Sequence, residues 1–226
     1  MYLVLIRHGE TLYNREKRFC GWTNVDLSDK GIEDATKAGE ILSSNGFANF
    51  DVVYTSLLKR SLETLNCMSK YISYGKMYSD YRLNERHYGA LQGILHEDMV
   101  KKYGEEQVHT WRRSFSVRPP LLDRNDERNP EFDELYKDIP KEKLPLGESL
   151  EDTLLRVDDF YKNVILKNAT NDQKILIVAH GNSLRALIKD IEKISDEDIV
   201  HVEIPTAKPI VYELNDKFEL IDKKTL

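Results

Sequence analysis

The 226-residue sequence predicts an α/β fold with a mostly parallel central sheet and helices on both faces. Three observations predict it. Short branched apolar runs, too brief for helices, recur along the chain; amphipathic stretches of helical spacing lie between them; and two of the runs end in the same His-Gly pair. Ligands in sheets of this kind bind outside the carboxyl ends of the strands.

Tyr2 to Ile6 reads as a strand buried on both faces, so His8 follows a strand end. From Ser28 to Ser44 the residues Ile32, Ala35, Ala38, Ile41 and Leu42 recur at helical spacing, and Gly46 stops the pattern. Asp51 to Thr55 is a second strand, and Leu57 to Tyr74 a second helix with Lys59 and Arg60 in its first turn. The stretch from about 114 to 146 is charged, carries Pro119, Pro120, Pro130, Pro140 and Pro145, and has no periodicity. It is expected to be a long irregular excursion over one edge, with the character of a lid. Ser149 and Asp152 form a capping-box-like start for a helix reaching about Leu166. Lys174 to Ala179 is another apolar strand ending at His180, with Asn182 or Ser183 as cap of the helix that follows, and Ile210 to Leu214 is the last strand. Residues 1–226 are expected to form one domain around one substantial core.

Composition narrows the function. A formal charge of -6 disfavours duplex nucleic acid, whose phosphates need a net basic face. Cys20 and Cys67 are the only cysteines, which supports neither a disulfide framework nor a thiolate zinc site and suits reduced thiols in the cytoplasm. The apolar run at the N-terminus is too short for a signal segment or a membrane span.

Two distant segments look alike: Ile6-Arg7-His8-Gly9-Glu10 and Val178-Ala179-His180-Gly181-Asn182. If their strands are neighbours, two imidazoles converge on one pocket, and Gly9 and Gly181 let backbone approach a ligand. Arg7 adds a permanent charge with a planar fork suited to phosphate oxygens, and the helix after His180 adds backbone donors. A neutral imidazole in an anion-binding pocket is a capable nucleophile toward phosphorus, and a second can balance charge in the transfer. His87, His109 and His201, taken singly, read as structural residues. Metal ligation by two histidines finds no third ligand at the right spacing, and His96-Glu97-Asp98-Met99-Val100 fails the zinc-protease pattern at its last position. Gly181-Asn182-Ser183-Leu184-Arg185 begins like a nucleophile elbow but lacks the second Gly, which leaves a serine hydrolase using Ser183 as the reading from a different class. No P-loop or dinucleotide-binding glycine pattern occurs.

With these residues the chain resembles the histidine phosphatase superfamily, and more narrowly the 2,3-bisphosphoglycerate-dependent phosphoglycerate mutases. The match is carried by Arg7-His8-Gly9-Glu10-Thr11, by Phe19-Cys20-Gly21-Trp22-Thr23-Asn24-Val25-Asp26-Leu27-Ser28 and by Tyr54-Thr55-Ser56-Leu57-Leu58-Lys59-Arg60. It continues through Asn84-Glu85-Arg86-His87-Tyr88-Gly89, Trp111-Arg112-Arg113 and His180-Gly181-Asn182-Ser183-Leu184-Arg185. The resemblance implies a metal-independent mutase of glycolysis and gluconeogenesis that interconverts 3-phosphoglycerate and 2-phosphoglycerate and is primed by 2,3-bisphosphoglycerate. A bisphosphoglycerate mutase or phosphatase is the competing reading within the family, and a homodimer is compatible with it. His8 is implied to carry the phosphoryl group, Glu85 to act as general acid and base, and Arg7, Arg60 and His180 to hold the transferring group. Arg112 and Arg113 are implied to clamp the far end of the substrate. Asn14, Tyr88, Gly181 and Asn182 complete the pocket, with Thr11, Cys20, Gly21, Arg86 and His96 at further substrate-binding positions.

The sequence departs from this pattern at three places. Cys20 stands where the family usually has Thr, which exchanges a hydroxyl for a weak thiol donor. His96 stands where a Lys is usual, so a fixed cation is expected to become one that titrates near neutrality. Ala207 stands where Gly is usual, and a shifted turn is expected there.

Overall fold

The computed structural model describes residues 1–226. Six strands form one sheet: β1 (Tyr2–Arg7), β2 (Asn49–Thr55), β3 (Ser73–Ser79), β4 (Lys174–Ala179), β5 (Ile210–Leu214) and β6 (Leu220–Thr225), in the order β3-β2-β4-β1-β5-β6. The first four in that order run parallel, and β5 and β6 join antiparallel. The helices are α1 (Leu12–Arg15), α2 (Asp29–Ser44), α3 (Lys59–Met68), α4 (His96–Tyr103), α5 (Glu105–Arg113), α6 (Leu150–Phe160, continued by a π-helical stretch Tyr161–Leu166) and α7 (Gly181–Glu192). None is long and apolar enough to cross a membrane.

The unbroken apolar character of β1 and β4 has a simple cause: both sheet faces are covered. Leu3 and Leu5 of β1 point into a core shared with α6 and α7, including Val157, Phe160, Leu184 and Ile188. Val4 and Ile6 point the other way, into a core with Ala38 and Leu42 of α2 and Leu65 and Met68 of α3. A third, smaller cluster of Phe19, Leu91, Met99, Val108 and Trp111 seats α4 and α5.

Several expectations need correction. The helix expected to run to Tyr74 stops at Met68, and Ser73–Ser79 is strand β3. Strand β6 was not expected at all. Both are edge strands with every residue exposed, so neither carries the apolar alternation by which a strand is read from sequence. In α2, Ile32 lies 45% exposed, and the buried face is Gly31, Ala35, Ala38, Gly39 and Leu42. Gly39 is what lets α2 meet α3 closely, since a Cβ there would lie 2.8 Å from the Met68 backbone. The capping box of α6 is present: the Asp152 N–H donates to Ser149 Oγ at 3.0 Å, and the Ser149 N–H to Asp152 Oδ2 at 2.8 Å. For α7 the cap position is His180 itself, and Asn182 and Ser183 lie within the first turn.

Ala207 occupies backbone of the kind that glycine favours. It holds φ +50°, the left-handed region, buried with its N–H donating to the Arg7 carbonyl at 2.9 Å. Left-handed backbone costs an L-residue about 1–2 kcal/mol. The buried methyl gives back roughly 0.8 kcal/mol, and avoiding a glycine's unfolded-state entropy gives about 0.5–1 kcal/mol more. These opposing effects nearly cancel, so Ala207→Gly should change unfolding free energy by less than about 0.5 kcal/mol, whereas the β-branched Ala207→Val should cost more than about 2 kcal/mol. Urea unfolding of the two variants measures both values, and a large gain from the glycine variant would contradict this balance.

Candidate active site

Parallel pairing of β1 with β4 puts Arg7 opposite Ala179, and the His8 N–H donates to the Ala179 carbonyl at 3.0 Å. The two His-Gly segments therefore end side by side. The imidazole centroids of His8 and His180 lie 5.0 Å apart, and both rings are buried. Between them sits Arg60, delivered by the first turn of α3 and fully buried. Its Nε–H is shared between His8 Nε2 at 3.3 Å and His180 Nδ1 at 3.1 Å. Its terminal nitrogens donate to the carbonyls of Thr23 at 2.9 Å and Gly21 at 2.8 Å.

A guanidinium only donates, so both facing imidazole nitrogens must be acceptors. In His8 the proton is then on Nδ1, which donates to the Gly9 carbonyl at 2.7 Å, and Nε2 keeps its lone pair. Burial first, then Arg60, holds both rings well below the ordinary imidazole range. They are neutral at neutral pH.

Next to this trio opens a cavity of about 730 Å³. Eight cationic side chains and three carboxylates contribute to its wall, in a chain whose formal charge is -6. Arg7, Asn14, Cys20, Glu85, Tyr88, His96, Arg112, Arg113, Gly181 and Asn182 all line it. His8, Arg60 and His180 lie buried behind the wall. Arg7 donates to the Ile204 carbonyl at 2.8 Å, while its buried Nε has no partner. Gly181 keeps the space beside it open: a Cβ would stand 3.5 Å from the Arg7 guanidinium and 3.7 Å from Glu85 Oε2.

Glu85 is held by backbone rather than by ion pairs. Its Oε1 accepts from the N–H groups of Arg86 at 2.8 Å and Asn182 at 3.0 Å. The neighbouring arginines are engaged elsewhere, Arg82 with Asp80 and Asp159, and Arg86 with Tyr88 Oη and the Arg112 carbonyl. Oε2 is left to face the cavity side of Gly181.

Some expected residues do other work. Thr11 is buried and caps α1, accepting from the Asn14 N–H at 3.1 Å. Gly21 holds Arg60 through its carbonyl. Arg86 is buried over the Tyr88 ring. None of the three lines the cavity. His96 lines it, but packed edge-on against Phe19 it is pushed down to about 4 by desolvation and then by Arg112 and Lys17. The expectation of a charge that titrates near neutrality is therefore wrong; this ring is a neutral wall. Burial raises the Cys20 thiol, which stays protonated. The excursion at 114–146 gives no residue to the cavity wall. Its Tyr136 is instead buried against Trp22 and accepts from Asn84 Nδ2 at 3.2 Å, which braces the segment before Glu85.

Three residues that sequence reasoning did not single out for the site shape it. Arg156 of α6 donates to the carbonyls of Arg82, Asn84 and Glu85 and pairs with Glu148, which in turn accepts from the His87 N–H at 2.8 Å. Arg185 lines the cavity wall, holds Asn182 Oδ1 at 3.0 Å and the Ile199 carbonyl at 2.6 Å, and is lowered to about 10 by burial and then by Arg86 and Arg113. Arg185 stood in a matched string; Arg156 and Glu148 sit in no motif. Ser183 has no base. Its Oγ accepts from the His180 N–H at 3.1 Å inside the first turn of α7, and it is 1% exposed, so the serine-hydrolase reading fails.

With this geometry in view, the chain matches the model of the histidine phosphatase superfamily (branch 1) over residues 3–128 and 122–223. A 2,3-bisphosphoglycerate-dependent phosphoglycerate mutase of Bacteroides fragilis is 49% identical over 96% of this chain and 88% of its own length. The protein of the same name from Lachnoclostridium phytofermentans is 49% identical over 100% and 91%. Among solved structures, a mycobacterial glucosyl-3-phosphoglycerate phosphatase shares the fold at a TM-score of 0.73 and 21% identity, over 99% of this chain and 96% of that one. The chain belongs to the histidine phosphatase superfamily, and within it to the family of 2,3-bisphosphoglycerate-dependent phosphoglycerate mutases.

The buried neutral histidines generate a test of stability. His87 is pushed down to about 3 by desolvation and then Arg156 and Arg128, and His8 and His180 are also depressed. In the unfolded chain each would protonate near pH 6.5. Between that value and about 3 the unfolded state binds more protons, so stability is full above pH 6.5 and is lost as pH falls. At pH 5 the loss should be about 2 kcal/mol from His87 alone, with His8 and His180 adding to it in the same direction. Denaturant midpoints at pH 7.5 and 5.0 measure it, and equal midpoints would refute the neutral assignment.

Proposed function

We propose that this protein is a phosphoglycerate mutase that interconverts 3-phosphoglycerate and 2-phosphoglycerate through a phosphoryl group carried on His8, with its 226 residues acting as one unit in the cytoplasm. The observation that carries the reading is Arg60: a fully buried guanidinium with no carboxylate partner, set between two neutral imidazoles beside a cationic cavity. Such a charge calls for an anion at that point. The names of the relatives at 49% identity supply the reaction.

His8 Nε2, unprotonated and with its Nδ1–H fixed, attacks phosphorus in line with the departing oxygen as the Arg60 Nε–H turns from it to a phosphoryl oxygen. Arg60, Arg7 and His180 take up the charge on the equatorial oxygens, and the unpartnered Arg7 Nε is a donor waiting for one of them. Glu85, its Oε1 pinned and its Oε2 toward the cavity, gives a proton to the departing alkoxide oxygen, which leaves as the substrate hydroxyl, and takes a proton back from the attacking hydroxyl in the return step. Arg112 and Arg113 hold the carboxylate end. 2,3-Bisphosphoglycerate fits the same cationic wall, and when bound it supplies the phosphoryl group that first charges His8. No step asks for a metal.

Labelled bisphosphoglycerate should leave an acid-labile, alkali-stable phosphoenzyme that His8→Ala abolishes and Ser183→Ala does not. Mutase turnover should persist in EDTA and fall on the order of 100-fold or more in Glu85→Gln. Label on a protein lacking His8, or phosphatase activity without mutase activity, would overturn the reading.

For assembly, we infer a homodimer built on the outer edge of β3, whose backbone is unpaired and beside which Met77 and Tyr78 are 38% and 51% exposed. Two copies can pair there antiparallel across a two-fold axis. Light scattering should give twice the chain mass, and Tyr78→Lys should halve it; a wild-type monomer at micromolar concentration would exclude the arrangement.

A further inference from the structure

Behind His180 a chain of hydroxyl groups runs into the protein. His180 Nε2 lies 2.7 Å from Ser56 Oγ, and Ser56 Oγ lies 2.7 Å from Ser61 Oγ. Ser61 Oγ is 2.8 Å from the Leu58 carbonyl, and the Leu58 N–H donates back to Ser56 Oγ at 3.1 Å. His180, Ser56 and Ser61 are all fully buried. Ser56 closes the end of β2, and Ser61 follows Arg60 in α3, so the element that delivers the arginine also delivers the end of the chain.

The direction of every proton in this chain is fixed by one partner that cannot accept. Arg60 donates to His180 Nδ1, so Nδ1 carries the lone pair and the neutral ring has its proton on Nε2. That proton goes to Ser56 Oγ. Ser56 Oγ then receives two donors, the imidazole and the Leu58 N–H, and its own proton must leave toward Ser61 Oγ. Ser61 passes its proton to the Leu58 carbonyl; its other acceptor within reach, the Ser56 carbonyl, is more distant at 3.4 Å. Every polar group in the chain is satisfied in this arrangement.

We propose that Ser56 and Ser61 are positioning residues that lock His180 in its Nε2–H tautomer and keep its single basic nitrogen aimed at Arg60 and His8. The two imidazoles thus hold opposite tautomers, His8 protonated on Nδ1 and His180 on Nε2, each with its lone pair toward Arg60. A proton brought in on a phosphate monoester can bind His180 only at Nδ1. The imidazolium so formed donates Nδ1–H to a phosphoryl oxygen and keeps Nε2–H on Ser56, with no group left unpaired. This catalytic consequence rests on the phosphohistidine reading; the tautomer itself does not.

Histidine-labelled full-length protein, free of ligand, gives the tautomer of each ring in a long-range proton–nitrogen correlation NMR spectrum, assigned by the signals lost in His8→Gln and His180→Gln. His180 should show Nε2–H and His8 Nδ1–H. In Ser56→Ala the His180 pattern should become a mixture, and Ser56→Thr, which keeps the hydroxyl, should retain it. Ser56→Ala and Ser61→Ala should each lower kcat at least about tenfold with KM within about twofold, and the double variant should be no worse than Ser56→Ala. His180 found as Nδ1–H, a tautomer unchanged in Ser56→Ala, or additive losses in the double variant would overturn the proposal. Should Ser56→Ala fail to fold, the wild-type spectrum and Ser61→Ala decide alone. Because the spectrum needs no substrate, its outcome is separate from that of phosphoenzyme labelling.

Discussion

One N–H of Arg60 organises this molecule. A guanidinium removed from water is costly, and here it is compensated by two carbonyls and two imidazole lone pairs rather than by a carboxylate. That choice has consequences in both directions. It forces the protonation pattern of both histidines, and it leaves the positive charge without a carboxylate beside it. The sheet exists to make this contact: β1 and β4 must be neighbours, and α3 must start at the end of β2, for three residues from positions 8, 60 and 180 to meet.

Around that contact the supporting structure is mostly hydrogen bonding to backbone. Glu85 is oriented by two amide N–H groups, and the loop that carries it is tied down by Arg156 of α6, which donates to the carbonyls of Arg82, Asn84 and Glu85. Backbone donors and acceptors do not titrate or change rotamer, so a carboxylate held this way keeps its orientation when its own protonation changes. The Arg113–Glu203 ion pair at the cavity is different in kind: Glu203 is 73% exposed, and the pair can open to water at little cost.

Much of this was legible in the sequence because it is carried by local patterns. The repeated strand-His-Gly unit located both imidazoles, and the apolar runs of β1, β2, β4 and β5 declared themselves by their burial on both faces. What escaped had no local signature. The edge strands β3 and β6 are exposed throughout; Arg156 acts on a loop about 70 residues away in sequence. His96 lines the wall, but its electrical character is not legible locally, because its surroundings, Phe19 and Arg112, come from other parts of the chain. Thr11 and Gly21 belong to matched strings yet act on the protein's own backbone and on Arg60, a distinction that only geometry draws.

The pairing of β1 with β4 and β5 also sets a timetable. Of the six strands β1 is made first, and both of its neighbours come much later, at residues 174–179 and 210–214. Until those emerge, an apolar strand remains with two open edges, the kind of segment that associates with other chains when exposed. Contacts of such long sequence separation are reached slowly, since the loop-closure entropy precedes any reward. The nascent chain therefore depends on holding Tyr2–Arg7 apart from its surroundings until β4 and β5 have emerged, and the setting of His8 at the end of that strand comes into being only when they pair with it.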